Sequence, residues 1–193
     1  MKCVIFFIVV AICTGCKTGS NKEPHIIIET SVGNIEAELY PAKAPQTVAA
    51  FLSYVKKGLY RESSFYRVIK IEGLPAEYNS GLIQGGVYKS NPAQLIKLSG
   101  VKHESPKETG LSHVSGTISL ARTLPGTGRS EFFICIGDQV QFDSSRRTNP
   151  DGLGYAAFGK VIKGMPVVRK IQSKDNKVDE IIDPVKILNI ELQ

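Results

Sequence analysis

Between residues 64 and 192 the chain alternates short β-forming runs with glycine- and proline-rich turns, and this spacing constrains the fold more than any other feature. The runs at 64–69, 82–84, 117–121, 131–136, 156–162 and 185–192 are rich in β-branched and aromatic residues. Gly85-Gly86, Pro125-Gly126-Thr127-Gly128 and Asn149-Pro150-Asp151-Gly152 punctuate them. Upstream, His25-Ile26-Ile27-Ile28-Glu29-Thr30 and 35–39 flank the turn Ser31-Val32-Gly33-Asn34, which reads as a hairpin. A helix is predicted after Ala44-Pro45, because Val48, Phe51, Leu52 and Val55 form one apolar stripe and Gly58 supplies a stop. A second, short helix is expected over 166–172. About eight strands and two helices predict a mainly β fold: a closed eight-stranded antiparallel β-barrel capped by two α-helices.

At 193 residues, without repeats or a second composition regime, the chain is expected to hold one domain over 25–193. A hollow ligand-carrying barrel is disfavoured, since abundant Ile, Val and Phe on the strands imply a filled interior. The net charge of +6 is dispersed, with Lys56-Lys57 and Arg146-Arg147 only as pairs, so no nucleic-acid partner is expected.

The N-terminus differs in kind. Met1-Lys2 precedes the apolar run 3–12, which is shorter than the roughly 20 residues a membrane span needs. It fits a secretory signal peptide over 1–15. Thr14-Gly15-Cys16 resembles the end of a bacterial lipobox, although Cys13 stands where Leu is usual. Cys16 is therefore expected to carry lipid, with 16–24 as a polar tether to a membrane of the cell envelope, facing the periplasm. Cys135 would then be the one free thiol of the mature chain, most simply a packed small hydrophobe.

Common catalytic motifs are missing. His25, His103 and His113 share no metal-ligand spacing, no GxSxG surrounds a serine, and Gly126-Thr127-Gly128-Arg129-Ser130 lacks Walker spacing. In the run Ser130-Glu131-Phe132-Phe133-Ile134-Cys135-Ile136, strand alternation puts Phe132, Ile134 and Ile136 on one face. Glu131, Phe133 and Cys135 share the other, a carboxylate beside a phenyl ring. Arg67 in Phe65-Tyr66-Arg67-Val68-Ile69 is expected on the face of Phe65 and Ile69, opposite Tyr66 and Val68. A cation among apolar neighbours is costly unless it lines a cleft or is paired.

Phe65-Tyr66-Arg67-Val68-Ile69, Ile83-Gln84-Gly85-Gly86, Ser130-Glu131-Phe132-Phe133-Ile134 and Phe158-Gly159-Lys160-Val161 occur in that order. Together with the opening hairpin and helix, they resemble the signature stretches of cyclophilin-type peptidyl-prolyl cis-trans isomerases. The resemblance implies an eight-stranded barrel with two helices, no cofactor or metal, and a monomer acting on proline-containing polypeptides. It makes Arg67 the catalytic arginine, Gln84 a pocket glutamine and Phe133 the floor of a proline pocket. Leu82 and Phe142 stand at further apolar pocket positions, where Met and Leu are usual. Ala121, Arg122 and Thr123 stand at the strand edge that pairs with substrate backbone. Glu131 replaces a usual Gln and Tyr155 a pocket His.

The segment 70–81 is longer than in small members, and Gly81 stands where a pocket-wall Phe is expected. Either Tyr78 or Leu74 folds over to replace that wall, or the pocket is more open. Glu131 is expected at the pocket rim near Arg67, holding the guanidinium or diverting it from substrate. The competing reading is a cyclophilin-like module that binds proline segments with little or no catalysis.

Overall fold

The computed structural model describes residues 23–144 and 149–193. The expected signal peptide, the expected lipidation site Cys16 and most of the expected tether lie outside the described residues. Among the described residues nine strands form one antiparallel sheet: β1 (His25–Thr30), β2 (Gly33–Leu39), β3 (Ser63–Ile69), β4 (Gly81–Gly86), β5 (Thr117–Leu120), β6 (Phe132–Ile136), β7 (Ala156–Lys163), β8 (Asn176–Lys177) and β9 (Glu180–Leu192). The order β1-β2-β7-β5-β6-β4-β3-β9 closes through β1 and β9, giving the expected eight-stranded barrel. Closure leaves no free edge among these eight strands. The two-residue β8 hangs on β9 outside the ring.

Two helices stand where the sequence put them, α1 (Pro45–Lys56) and a closing helix (Met165–Gln172). Two short helices, Pro92–Lys97 and Pro106–Thr109, were not anticipated. Each begins with proline after a side-chain cap, from Asn91 and Ser105, a local signal that needs no apolar stripe. The N-terminus of α1 has no capping side chain of its own, since Ala44 precedes it. Glu104 caps it from a distance, accepting from the amides of Gln46 and Thr47 at 3.0 and 2.9 Å and from the Thr47 hydroxyl. A buried carboxylate is tolerable there because orphan amides and the helix dipole meet it.

The interior is filled. Phe51, Tyr60, Phe132 and Phe158 meet at ring separations of 5.1 to 5.7 Å beneath α1. The two faces of β6 divide as alternation dictates. Phe132, Ile134 and Ile136 join this main core, while Phe133 and Cys135 pack with Leu82 on the outside of the barrel.

On β3 the alternation breaks. The register against both β4 and β9 shifts between Phe65 and Arg67, so Tyr66 occupies a bulge. Phe65 therefore points into the main core and Arg67 out of it, although two residues apart should share a face. The expected partnership of Arg67 with Phe65 is thus corrected, while its partnership with Ile69 holds. A bulge of this kind re-aims a side chain by bending the strand locally.

Candidate active site

A cleft of about 740 Å³ lies on the outer face of β3, β4 and β6. Arg67, Leu82, Gln84, Ala121, Arg122, Thr123, Glu131, Phe133, Phe142 and Tyr155 all line it, so every cleft residue singled out from the sequence comes to one place. Ile69, Leu95, Thr127 and Arg129 complete the lining. Leu95 was not singled out, and Arg129 was weighed only within the rejected phosphate-loop stretch, because neither lies in a run with a readable period.

The floor is aromatic. Phe133 meets Tyr155 edge-on at 5.2 Å and Phe142 at 5.6 Å, and those two meet each other at 5.5 Å. Such T-shaped contacts favour one arrangement of the three rings. Beneath them His113 stacks on Phe133 at 5.9 Å. Its Nδ1 lies 2.7 Å from Asp143 Oδ1 and its Nε2 3.0 Å from Ser119 Oγ. That string has the order of a hydrolase triad, but Ser119 is completely buried, so no substrate can reach its hydroxyl. Burial holds His113 below the usual imidazole range, and the arrangement braces the floor.

Arg67 stands at one end. Its Nη1 donates to Gln84 Oε1 at 3.1 Å and its Nη2 to Asp179 Oδ2 at 2.8 Å. These contacts leave three of its five N–H groups for another acceptor. Asp179 lies in the turn joining β8 to β9, and its backbone oxygen also accepts from Val68 N. Sequence reasoning missed Asp179, because it sits 112 positions from Arg67 and the pairing depends on the bulge.

Glu131 is not the partner of Arg67. Its oxygens accept from the Tyr66 hydroxyl at 2.6 Å, Tyr88 N at 3.0 Å and Ser130 Oγ at 3.2 Å. Gln84 Nε2 donates to the same Tyr66 hydroxyl at 3.0 Å. Glu131 reaches Arg67 only through Tyr66 and Gln84, so direct pairing or direct diversion is corrected to a relay. Burial pushes the Glu131 carboxyl up, and these donors pull it partly back.

At the opposite wall Arg122 is a fixed staple. It makes bidentate contact with Asp151 at 2.8 and 2.9 Å, donates twice to Gly154 O, and lies 5.5 Å from the Tyr155 ring centre. Its side chain is only 2% exposed. The Arg122 guanidinium and the amide of Leu153 hold the Asp151 carboxyl down to about 2.

The missing wall is not replaced. Tyr78 is 73% exposed and Leu74 is 38% exposed, and neither lines the cleft. Asn79 pins the 70–80 segment instead, bonding Ile71 N, Ile71 O and Leu74 O, while Arg169 holds Ala76 O and Asn79 O. Gly81 has φ of +131°, and a Cβ there would sit 2.1 Å from Ile69 O, so no side chain fits. The cleft is open on that side. Among the described residues, no three His, Cys, Asp or Glu side chains are grouped to hold a metal ion.

A barrel closed by β1 and β9, carrying an arginine beside an aromatic floor on its outer face, defines the class. Residues 25–192 match the family described as cyclophilin type peptidyl-prolyl cis-trans isomerase/CLD, and the chain belongs to it. It is 37% identical over 172 residues to a peptidyl-prolyl cis-trans isomerase of Acinetobacter baylyi, covering 86% of this chain and 84% of that one. It is 39% identical to peptidyl-prolyl cis-trans isomerase A of Dickeya dadantii, covering 76% of this chain and 70% of that one. A crystal structure of a cyclophilin type isomerase from Cryptosporidium parvum shares the fold with a TM-score of 0.68 at 23% identity, over 89% of this chain and 98% of that one. The same protein has also been crystallised in the presence of the dipeptide Ala-Pro, with a TM-score of 0.67 at 24% identity, over 88% of this chain and 98% of that one.

Proposed function

We propose that this chain is a peptidyl-prolyl cis-trans isomerase, accelerating rotation about X-Pro bonds of polypeptides. The observation that carries the proposal is a guanidinium with uncommitted N–H groups facing the same cleft as a rigid apolar floor. The proline ring rests on Phe133 with Leu82 and Phe142 beside it, and the edge at Ala121, Arg122 and Thr123 holds the flanking backbone.

Rotation must break amide resonance, a barrier of about 18–20 kcal/mol. No covalent bond is made and no proton must leave the substrate. The enzyme has only to favour the twisted amide over both planar forms. In the twisted state the prolyl nitrogen becomes pyramidal and gains a lone pair, to which Arg67 donates. A planar amide nitrogen accepts poorly, so the bond is made mainly in the transition state. A ~10⁵-fold acceleration needs about 7 kcal/mol. One preorganised donor supplies about 3–4 kcal/mol by analogy with oxyanion-hole donors. Holding the ring and backbone in one orientation supplies the rest.

A protease-coupled assay on a proline tetrapeptide tests the proposal: wild type accelerates exchange and Arg67→Ala loses most of the effect. No acceleration by wild type would sink the enzyme. Peptide binding without acceleration would instead support a binding module, a reading favoured by the open side at Gly81.

The extracytoplasmic setting belongs to the same proposal. A basic start, a short apolar run and Thr14-Gly15-Cys16 support lipidation at Cys16 and attachment to a bacterial envelope membrane, facing the periplasm. Cys16→Ser should move the protein from the membrane fraction to the soluble one. A wild type that already fractionates as soluble would overturn the anchor.

A further inference from the structure

The cleft continues past the aromatic floor to Leu95, Thr123, Thr127 and Arg129. The charged groups of the cleft divide sharply there. Arg67 is paired with Asp179, Arg122 with Asp151, and Glu131 accepts three hydrogen bonds. Arg129 alone among the cleft's charged side chains forms neither an ion pair nor a hydrogen bond among the described residues, and its Nε is enclosed with no acceptor. Glu131 shares the cavity without touching it. Thr127 cannot serve it either, since its hydroxyl is consumed by its own turn, through Thr123 N, Leu124 N and Leu124 O. An enclosed guanidinium N–H without an acceptor is a costly arrangement unless a ligand completes it.

Resting on the isomerase reading above, we infer that this end of the cleft receives a carboxylate side chain of the substrate, so that the enzyme favours X-Pro bonds flanked by Asp or Glu. Arginine suits the task because its planar fork matches a carboxylate and is always charged. Leu95 supplies an apolar side against which the methylenes of a glutamate can lie. The partner is an extended acidic peptide segment, engaged beside the proline and not through it.

The test uses tetrapeptide pairs that differ as Glu against Gln, placed either two residues before the proline or directly after it. Isomerisation is measured by exchange spectroscopy and binding by NMR titration, for wild type, Arg129→Gln and Arg129→Lys. At one of the two positions wild type should prefer Glu by about fivefold, the scale of one partly screened ion pair. Arg129→Gln should bring that ratio to one and Arg129→Lys should keep part of it, with raised salt eroding it in wild type. A wild-type ratio of one at both positions overturns the inference, and so does a ratio that survives in Arg129→Gln. Because the ratio is taken within each variant, a general loss of stability does not imitate it. If no peptide is isomerised yet Glu still binds more tightly through Arg129, the carboxylate site stands and the catalytic reading falls.

Discussion

Arg67 and Arg122 line the same cleft, yet the fold uses them in opposite ways. Arg122 is buried, its guanidinium is spent on Asp151 and Gly154, and it lies by the Tyr155 ring. Arg67 is 37% exposed and rests on a single carboxylate and one amide oxygen. A fully engaged arginine holds a wall, whereas a partly engaged one keeps donors for substrate. Both are arginines lining one cleft, so it is the census of partners that separates their roles.

The comparison breaks most readily at Arg67. Arg67→Ala should lower kcat/KM by ~10²-fold or more, the range seen when a preorganised transition-state donor is removed. Its thermal midpoint should stay close to wild type, because the residue is half exposed and fills no core space. If Arg67→Ala melts much earlier and retains activity, the two arginines have been assigned the wrong way round.

Arg122→Ala should do the reverse. Losing the staple frees Tyr155 and the 149–155 turn, so KM should rise by about tenfold while the midpoint falls by ~5 °C. The acid profile sharpens the point. Asp151 is held to about 2, below its reference of 3.8, so its contribution is fully present above 3.8 and is lost as pH falls through about 2. Wild type and Arg122→Ala should therefore converge in stability toward pH 2. Melts that stay parallel down to that pH would show that Asp151 is not held by Arg122.

Asp179→Ala should cost about fivefold in kcat with little change in KM, since the aspartate orients Arg67 and touches no substrate pocket. Asp179→Asn keeps an acceptor and should recover part of the loss. An unchanged kcat in Asp179→Ala would show that Gln84 suffices to aim the guanidinium.

The asymmetry between the arginines also marks where the sequence ceased to be legible. The barrel was readable because strand alternation and turn residues are local, and β6 divided its two faces as its pattern required. The ten cleft positions could be named because the signature stretches travel with the fold. Asp179 and Arg129 could not be found that way. Asp179 meets Arg67 only because Tyr66 bulges, and β9 passes from Val185 to Glu180 opposite that bulge. The role of Glu131 failed for a related reason, since its neighbours Tyr66 and Tyr88 come from other segments of the chain. Turn-initiating prolines escaped notice at Pro92 and Pro106, where the helices are too short to show a period.

Glu131 gives the smallest and most discriminating effect, because it reaches Arg67 only through Tyr66 and Gln84. Glu131→Gln turns one acceptor oxygen into a donor, so the Tyr66 hydroxyl can no longer give its proton at that point while Gln84 donates to it. Gln84 loses part of its fix and kcat/KM should fall by about twofold, the scale of a perturbed outer hydrogen bond. The stability consequence has a definite sign. Burial raises the folded carboxyl above its reference of 4.5, so the native state binds the extra proton and wild-type stability falls as pH rises through that raised value. Gln does not titrate, so the midpoint of Glu131→Gln relative to wild type should climb as pH rises from about 4.5 through that raised value. The constant cost of the altered hydrogen bonds cancels in that trend. A difference that is flat across the interval would mean that Tyr66, Tyr88 and Ser130 fully offset the burial, leaving Glu131 an ordinary ionised carboxylate.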